Sequence, residues 1–143
     1  MCQGKDLIGV ILMGTKETKN SLAEQCPGSF KHIKFFSELE LPAWKTIREL
    51  PSVPTQYRGD WFDALVVAAD YFKNGFSGIK CLNRRIILMT NFECYSSVDE
   101  NDFKQALNGF KEGDIQVDVI GCDIYSEICK NNDIDLVKKI VEV

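Results

Sequence analysis

Asp60 and Asp63 stand three residues apart at the head of an apolar run, Trp61-Phe62-Asp63-Ala64-Leu65-Val66-Val67-Ala68-Ala69, which sets two carboxylates one helical turn apart. Paired carboxylates do general acid-base work or bind hard cations. The plainer reading is the stronger one here: Asp60 caps a helix and Asp63 complements its dipole. Nucleophilic catalysis needs a base beside the nucleophile and a third group orienting that base. His32 is the one histidine, set among Phe30, Ile33 and Phe35 in what reads as an edge strand, and nothing in the sequence supports a cysteine-histidine pair. The six cysteines (Cys2, Cys26, Cys81, Cys94, Cys122, Cys129) form no C-x-x-C pair, so a structural zinc is not expected. They read as reduced, mostly buried thiols. Phosphate-cradling loops of the G-x-G-x-x-G or G-x-x-x-x-G-K-[ST] kind are missing, and Gly75-Phe76-Ser77-Gly78 precedes no helix. Lys16, Lys19, Lys31 and Lys34 make a loosely basic region, read as a solvated face that protects a strand edge.

Composition narrows the classes further. The chain has 143 residues, 45% of them hydrophobic and 27% charged, enough for one domain over 1–143 with a single core. Its net charge of −4 argues against a broad cationic surface for nucleic acid. No apolar run approaches the roughly 20 residues needed to span a bilayer.

The elements that position these residues follow from periodicity. Leu7 to Met13 is a continuous apolar run ending at Gly14-Thr15, the pattern of a strand buried on both faces. Residues 15–28 read as a turn-rich connection, and Phe30 to Phe36 as a second strand, antiparallel to the first because the link is too short for a helical crossover. Trp44, Ile47 and Leu50 recur at helical spacing behind Pro42 and predict a short amphipathic helix. Asp60 opens the next helix, with Phe62, Leu65, Val66, Ala69 and Phe72 as its stripe and Asn74-Gly75 as its exit. Arg84-Arg85 leads into the apolar strand Ile86 to Met89. A helix over Asp99 to Gly113, a strand over Ile115 to Ile120 and a terminal helix over Asp133 to Val143 follow. Strand, helix and strand in this order predict an α/β fold: a mostly parallel sheet flanked by helices in three layers, with one antiparallel edge strand.

These elements carry a family resemblance. Lys5-Asp6-Leu7-Ile8-Gly9-Val10-Ile11-Leu12-Met13-Gly14-Thr15, followed by Asn20-Ser21-Leu22, is similar to the second strand and loop of the von Willebrand factor A-like (Rossmann-like) domain of the Ku proteins. Leu39-Glu40-Leu41-Pro42-Ala43-Trp44 and Asp60-Trp61-Phe62-Asp63-Ala64-Leu65-Val66-Val67 resemble Ku as well, the latter closer to the larger subunit. Arg84-Arg85-Ile86-Ile87-Leu88-Met89-Thr90-Asn91 is more like the smaller subunit. The larger subunit is favoured. Against that family the chain is expected to lack a leading strand and helix ahead of Leu7.

The resemblance implies function by what it keeps and what it loses. Many such A domains hold magnesium with an Asp-x-Ser-x-Ser loop, a later threonine and an aspartate, because a hard cation takes oxygen ligands. In this sequence the first loop is absent, Tyr57-Arg58-Gly59-Asp60 offers no threonine, and Asn91 stands in the aspartate's place. No metal, other cofactor or catalytic residue is therefore expected. The resemblance implies a non-catalytic, nuclear interaction domain of a Ku subunit in double-strand break repair by non-homologous end joining. Its partners would be the other Ku subunit and repair factors carrying short Ku-binding peptides. Double-stranded DNA ends would be met only through other domains, and no membrane is involved. The peptide-contacting positions carried over are Leu22, Phe30, Asp60 and Val66. The alternative is a metal-dependent A-type ligand-binding domain.

Overall fold

A computed structural model describes residues 6–75, 83–121 and 132–142. The chain falls into two compact units, Met1–Gly59 and Asp60–Val143, and each is described by itself.

In the first unit, strand β1 (Ile8–Met13) pairs antiparallel with β2 (Ile33–Glu40), setting Ile11 opposite Phe35 and Met13 opposite Ile33. The expected antiparallel pairing is present. The connection holds a helix that the composition of residues 15–28 concealed, α1 (Ser21–Gln25). Its cause is Asn20, whose Oδ1 accepts the Ala23 N–H at 2.8 Å and so satisfies a donor that a helix start leaves open. Asn20 is buried, and its Nδ2 donates to the carbonyls of Ile33 at 2.9 Å and Phe30 at 3.1 Å. One amide thus ties α1 to the entry of β2.

That strand begins at Ile33, later than Phe30, because Phe30 and His32 take left-handed backbone at φ 52° and 59°, which no strand can propagate. His32 therefore precedes the strand. Its Nδ1 donates to the Thr15 carbonyl at 2.8 Å, and its ring lies 4.9 Å from that of Tyr57. Helix α2 (Trp44–Arg48) forms where predicted, but Trp44 is 76% and Ile47 58% exposed, so its apolar stripe is not buried. β1 is likewise half-buried to exposed along its length. A two-stranded ribbon with two short helices supplies too little cover to enclose a strand on both faces; among the described residues of this unit only Ile33 is an apolar side chain shut fully from solvent.

In the second unit, helix α3 (Trp61–Asp70) runs on through a π-helical turn, Tyr71–Gly75. Strand β3 (Arg84–Thr90) pairs in parallel with β4 (Ile115–Gly121), Arg84 opposite Ile115 and Leu88 opposite Val119, and α4 (Glu100–Glu112) is the connecting helix. Asp99 caps α4 through the N–H groups of Asn101 and Asp102. The helix stops at Gly113 as expected, yet Gly113 keeps φ −82° while Asp114 takes the left-handed φ of 48°. Helix α5 (Asn132–Val141) closes the unit.

Here there is a core. Trp61, Phe62, Leu65 and Val67 of α3 are buried, as are Leu88, Phe103, Phe110, Val117, Ile134, Val137 and Ile140. Trp61 meets Phe92 edge-to-face at 5.5 Å, and Phe62 lies 5.7 Å from Phe103. The strands, expected to be enclosed on both sides, bury one face only. Ile87, Met89 and Ile120 are 51%, 67% and 52% exposed, whereas Leu88 and Val117 point inward. Period-two geometry makes this unavoidable when helices cover one side.

Gly75 is described, but the rest of the turn read at Gly75-Phe76-Ser77-Gly78 lies outside the described residues, as do Cys2, Cys81, Cys122 and Cys129. Cys26 and Cys94 are free thiols, the first exposed and the second half-buried, so neither is the buried packing thiol expected.

Candidate functional site

The head of α3 gathers two carboxylates and a serine-bearing loop into one hydrogen-bonded cluster. Asp60 Oδ1 accepts the N–H groups of Phe62 at 2.8 Å and Asp63 at 3.4 Å, the expected cap. Its other oxygen accepts the Ser96 hydroxyl at 3.0 Å and the Ser97 N–H at 3.1 Å. Asp133, buried at the start of α5, accepts the Trp61 indole N–H at 3.0 Å and the Ser96 N–H at 2.7 Å through one oxygen. Ser96 therefore bridges two carboxylates.

Asp63 lies in the first turn of α3, where its spacing put it, but its surroundings disfavour its charge. Desolvation, with the Asp60 carboxylate adding to it, pushes its carboxyl up to about 6. That is the electrostatic signature of a half-buried acid beside another acid. Among the described residues no group of three or more His, Cys, Asp or Glu side chains is placed to hold a metal ion. Asn91, at the position where A domains carry an aspartate, is exposed and accepts the Glu93 N–H at 3.2 Å.

The positions carried over for peptide contact divide between the units. Leu22, in α1, and Phe30, at the left-handed turn, are half-buried in the first unit, where Phe30 gives its carbonyl to Asn20. In the second unit Asp60 is the fully engaged cap, and Val66 is half-buried on α3. Six residues separate Asp60 from Val66, about 9 Å along the helix axis. Within the basic region, Lys34 pairs with Glu17 at 2.5 Å, and this contact holds the Glu17 carboxyl below its ordinary range. Sequence reasoning passed over Ser96, Ser97 and Asp133. A signal existed for Asp133: a buried tryptophan must place its N–H on an acceptor, and an aspartate opening an apolar helix is a natural one.

Helices capped by aspartate, a parallel strand pair with its connecting helix, and a strand-end site given over to holding loops define an α/β domain of the A-domain type. Comparison with known proteins identifies which. The Ku70/Ku80 N-terminal alpha/beta domain matches residues 1–134, and the chain belongs to that family. It is 33% identical over 129 residues to X-ray repair cross-complementing protein 5 of Dictyostelium discoideum, covering 90% of this chain and 16% of that protein. It is 37% identical over 87 residues to the ATP-dependent DNA helicase 2 subunit KU80 of Oryza sativa subsp. japonica, covering 60% of this chain and 12% of that protein. The resemblance to the larger subunit agrees with these relatives. The chain spans less than a fifth of the length of either of them.

Proposed function

We propose that this chain is a non-catalytic interaction domain of a large Ku subunit, acting in the nucleus in the joining of double-strand breaks. The observation that carries the reading is the match to the Ku N-terminal domain over residues 1–134. It is supported by the acidic net charge of −4, which suits a surface that does not itself grip DNA. It is supported too by a strand-end site whose carboxylates are occupied by N–H, O–H and indole donors. The partners are the other Ku subunit and repair factors carrying short Ku-binding peptides, basic and hydrophobic in character. Each unit carries two of the expected peptide-contacting positions, Leu22 and Phe30 on the first and Asp60 and Val66 on the second. DNA ends are engaged by other parts of the full-length protein.

A domain exchange tests this. The matching region of the Dictyostelium relative is replaced by this chain, and end joining of a cut plasmid is measured in cells lacking their own large subunit. Restored joining is expected; a chimera that is made and pairs with its partner subunit, yet leaves joining at the background level, overturns the reading.

A further inference from the structure

We propose that Ser97 is a phosphorylation site for an acid-directed serine kinase and that its phosphate releases the loop carrying it from the head of α3. Such kinases have a basic substrate groove and select a serine with a carboxylate three residues on. Four serines among the described residues meet that spacing: Ser21 with Glu24, Ser37 with Glu40, Ser96 with Asp99 and Ser97 with Glu100. The structure separates them, because a kinase takes its substrate in extended form and needs a free hydroxyl. Ser21 is the first residue of α1. Ser37 lies in β2 with its hydroxyl buried. Ser96 is half-buried and spends its hydroxyl on Asp60. Ser97 alone of the four is exposed in irregular chain, and its hydroxyl has no hydrogen-bond partner among the described residues. Asp99, Glu100 and Asp102 follow it, and Glu100 is 82% exposed, held only by an exposed pair with Lys104 at 2.9 Å.

The consequence follows from where the backbone of Ser97 is pinned. Its N–H donates to the Asp60 oxygen that also takes the Ser96 hydroxyl. In the transfer, Ser97 Oγ bonds to the γ-phosphorus of ATP, the bridging bond to the β-phosphate breaks, ADP leaves, and the hydroxyl proton passes to the kinase's base. The product places close to two negative charges on the residue whose backbone holds the Asp60 carboxylate, with Asp99 two residues on. Like charges repel, and the Asp60–Ser96–Asp133 bridge is what gives way.

The test incubates the purified chain with labelled ATP and an acid-directed serine kinase, and maps the phosphate by mass spectrometry. Incorporation at Ser97 is expected, with roughly tenfold less in Ser97→Ala and in Glu100→Gln. Both variants keep the backbone N–H that holds Asp60, so folding is not at stake. Phosphate mapped mainly to Ser21, Ser37 or Ser96, or a Glu100→Gln rate equal to wild type, overturns the site. Hydrogen exchange then reads the release. The Ser96 amide and the Trp61 indole should exchange roughly tenfold faster in the phosphorylated chain than in Ser97→Ala, and equal rates overturn the mechanism.

Discussion

Asp133 takes the indole N–H of Trp61 at 3.0 Å, although the two residues lie 72 positions apart. Both are buried, Trp61 at 1% and Asp133 at 5% exposure, so the pair fastens the start of α5 to the start of α3 inside the core of the second unit. The same oxygen also holds the Ser96 N–H. Removing the indole donor leaves a buried carboxylate short of a partner, which costs more than the bond itself contributes. Trp61→Phe should therefore destabilise the chain by about 3 kcal/mol, loss of packing included. Equilibrium urea unfolding followed by far-UV circular dichroism checks this, and a loss below about 1 kcal/mol would show the pair to be incidental.

Asp60 performs two tasks that a graded pair of substitutions separates. Asp60→Ala loses the α3 cap and the hold on Ser96 and Ser97, an expected cost of about 2–3 kcal/mol. Asp60→Asn keeps a capping oxygen but presents N–H to the two serines, and should cost roughly half as much. Equal losses in urea unfolding would mean that the loop contacts carry no stability.

Asp63 makes stability depend on pH in a direction opposite to that of most carboxylates. Its folded value, about 6, lies above its ordinary 3.8, so the folded chain holds this proton more tightly than the unfolded one. The contribution of Asp63 is therefore neutral below the ordinary value and turns into a penalty as pH rises through about 6. Discounted for solvent screening at a half-buried site, the penalty at pH 7 is on the order of 1 kcal/mol. Asp63→Asn should raise the melting midpoint at pH 7 and leave it nearly unchanged at pH 4. A gain of equal size at both values would trace to something other than ionisation.

Gly59 has no room for a side chain. A Cβ there would lie 2.4 Å from the Gly14 nitrogen and 3.0 Å from the Met13 Cβ, so backbone has to move. Gly14 itself sits at φ 75°. Gly59→Ala is expected to cost about 2–4 kcal/mol, whereas Gly109→Ala, with open space around it on α4, should be neutral or stabilise by about 0.5–1 kcal/mol. Thermal melts of the two variants side by side check the contrast.

Asn20 is the counterpart of Asp60 in the first unit. Asn20→Asp keeps the acceptor for Ala23 but cannot donate to Ile33 and Phe30, and burial of its charge adds to the loss. The variant should be less stable than Asn20→Ser, with faster amide exchange at Ala23 only in variants that lose the cap. Similar stabilities for the two would remove Asn20 from its place as the tie between α1 and β2.

Local patterns in the chain were sufficient wherever one residue's own chemistry decides the outcome. Asp60 and Asp99 announce helix starts, because a short carboxylate satisfies N–H groups two and three residues on. The apolar periods of α3, α4 and α5 announce themselves because burial selects spacing, and the short apolar, β-branched runs of β1, β3 and β4 announce strands, though not which of their faces is covered. Family membership rested on the order of those same runs. Tertiary structure decided the rest, since it depends on which distant atoms meet. The α1 helix, capped by Asn20, is held to the entry of β2 because the same amide finds the carbonyls of Phe30 and Ile33; β2 starts late because His32 turns back to Thr15. Ile87 and Met89 lie open because the helices of this unit cover the other face of β3. The role of Ser96 was hidden for the same reason: nothing local distinguishes it from any loop serine until Asp60 and Asp133 are folded against it.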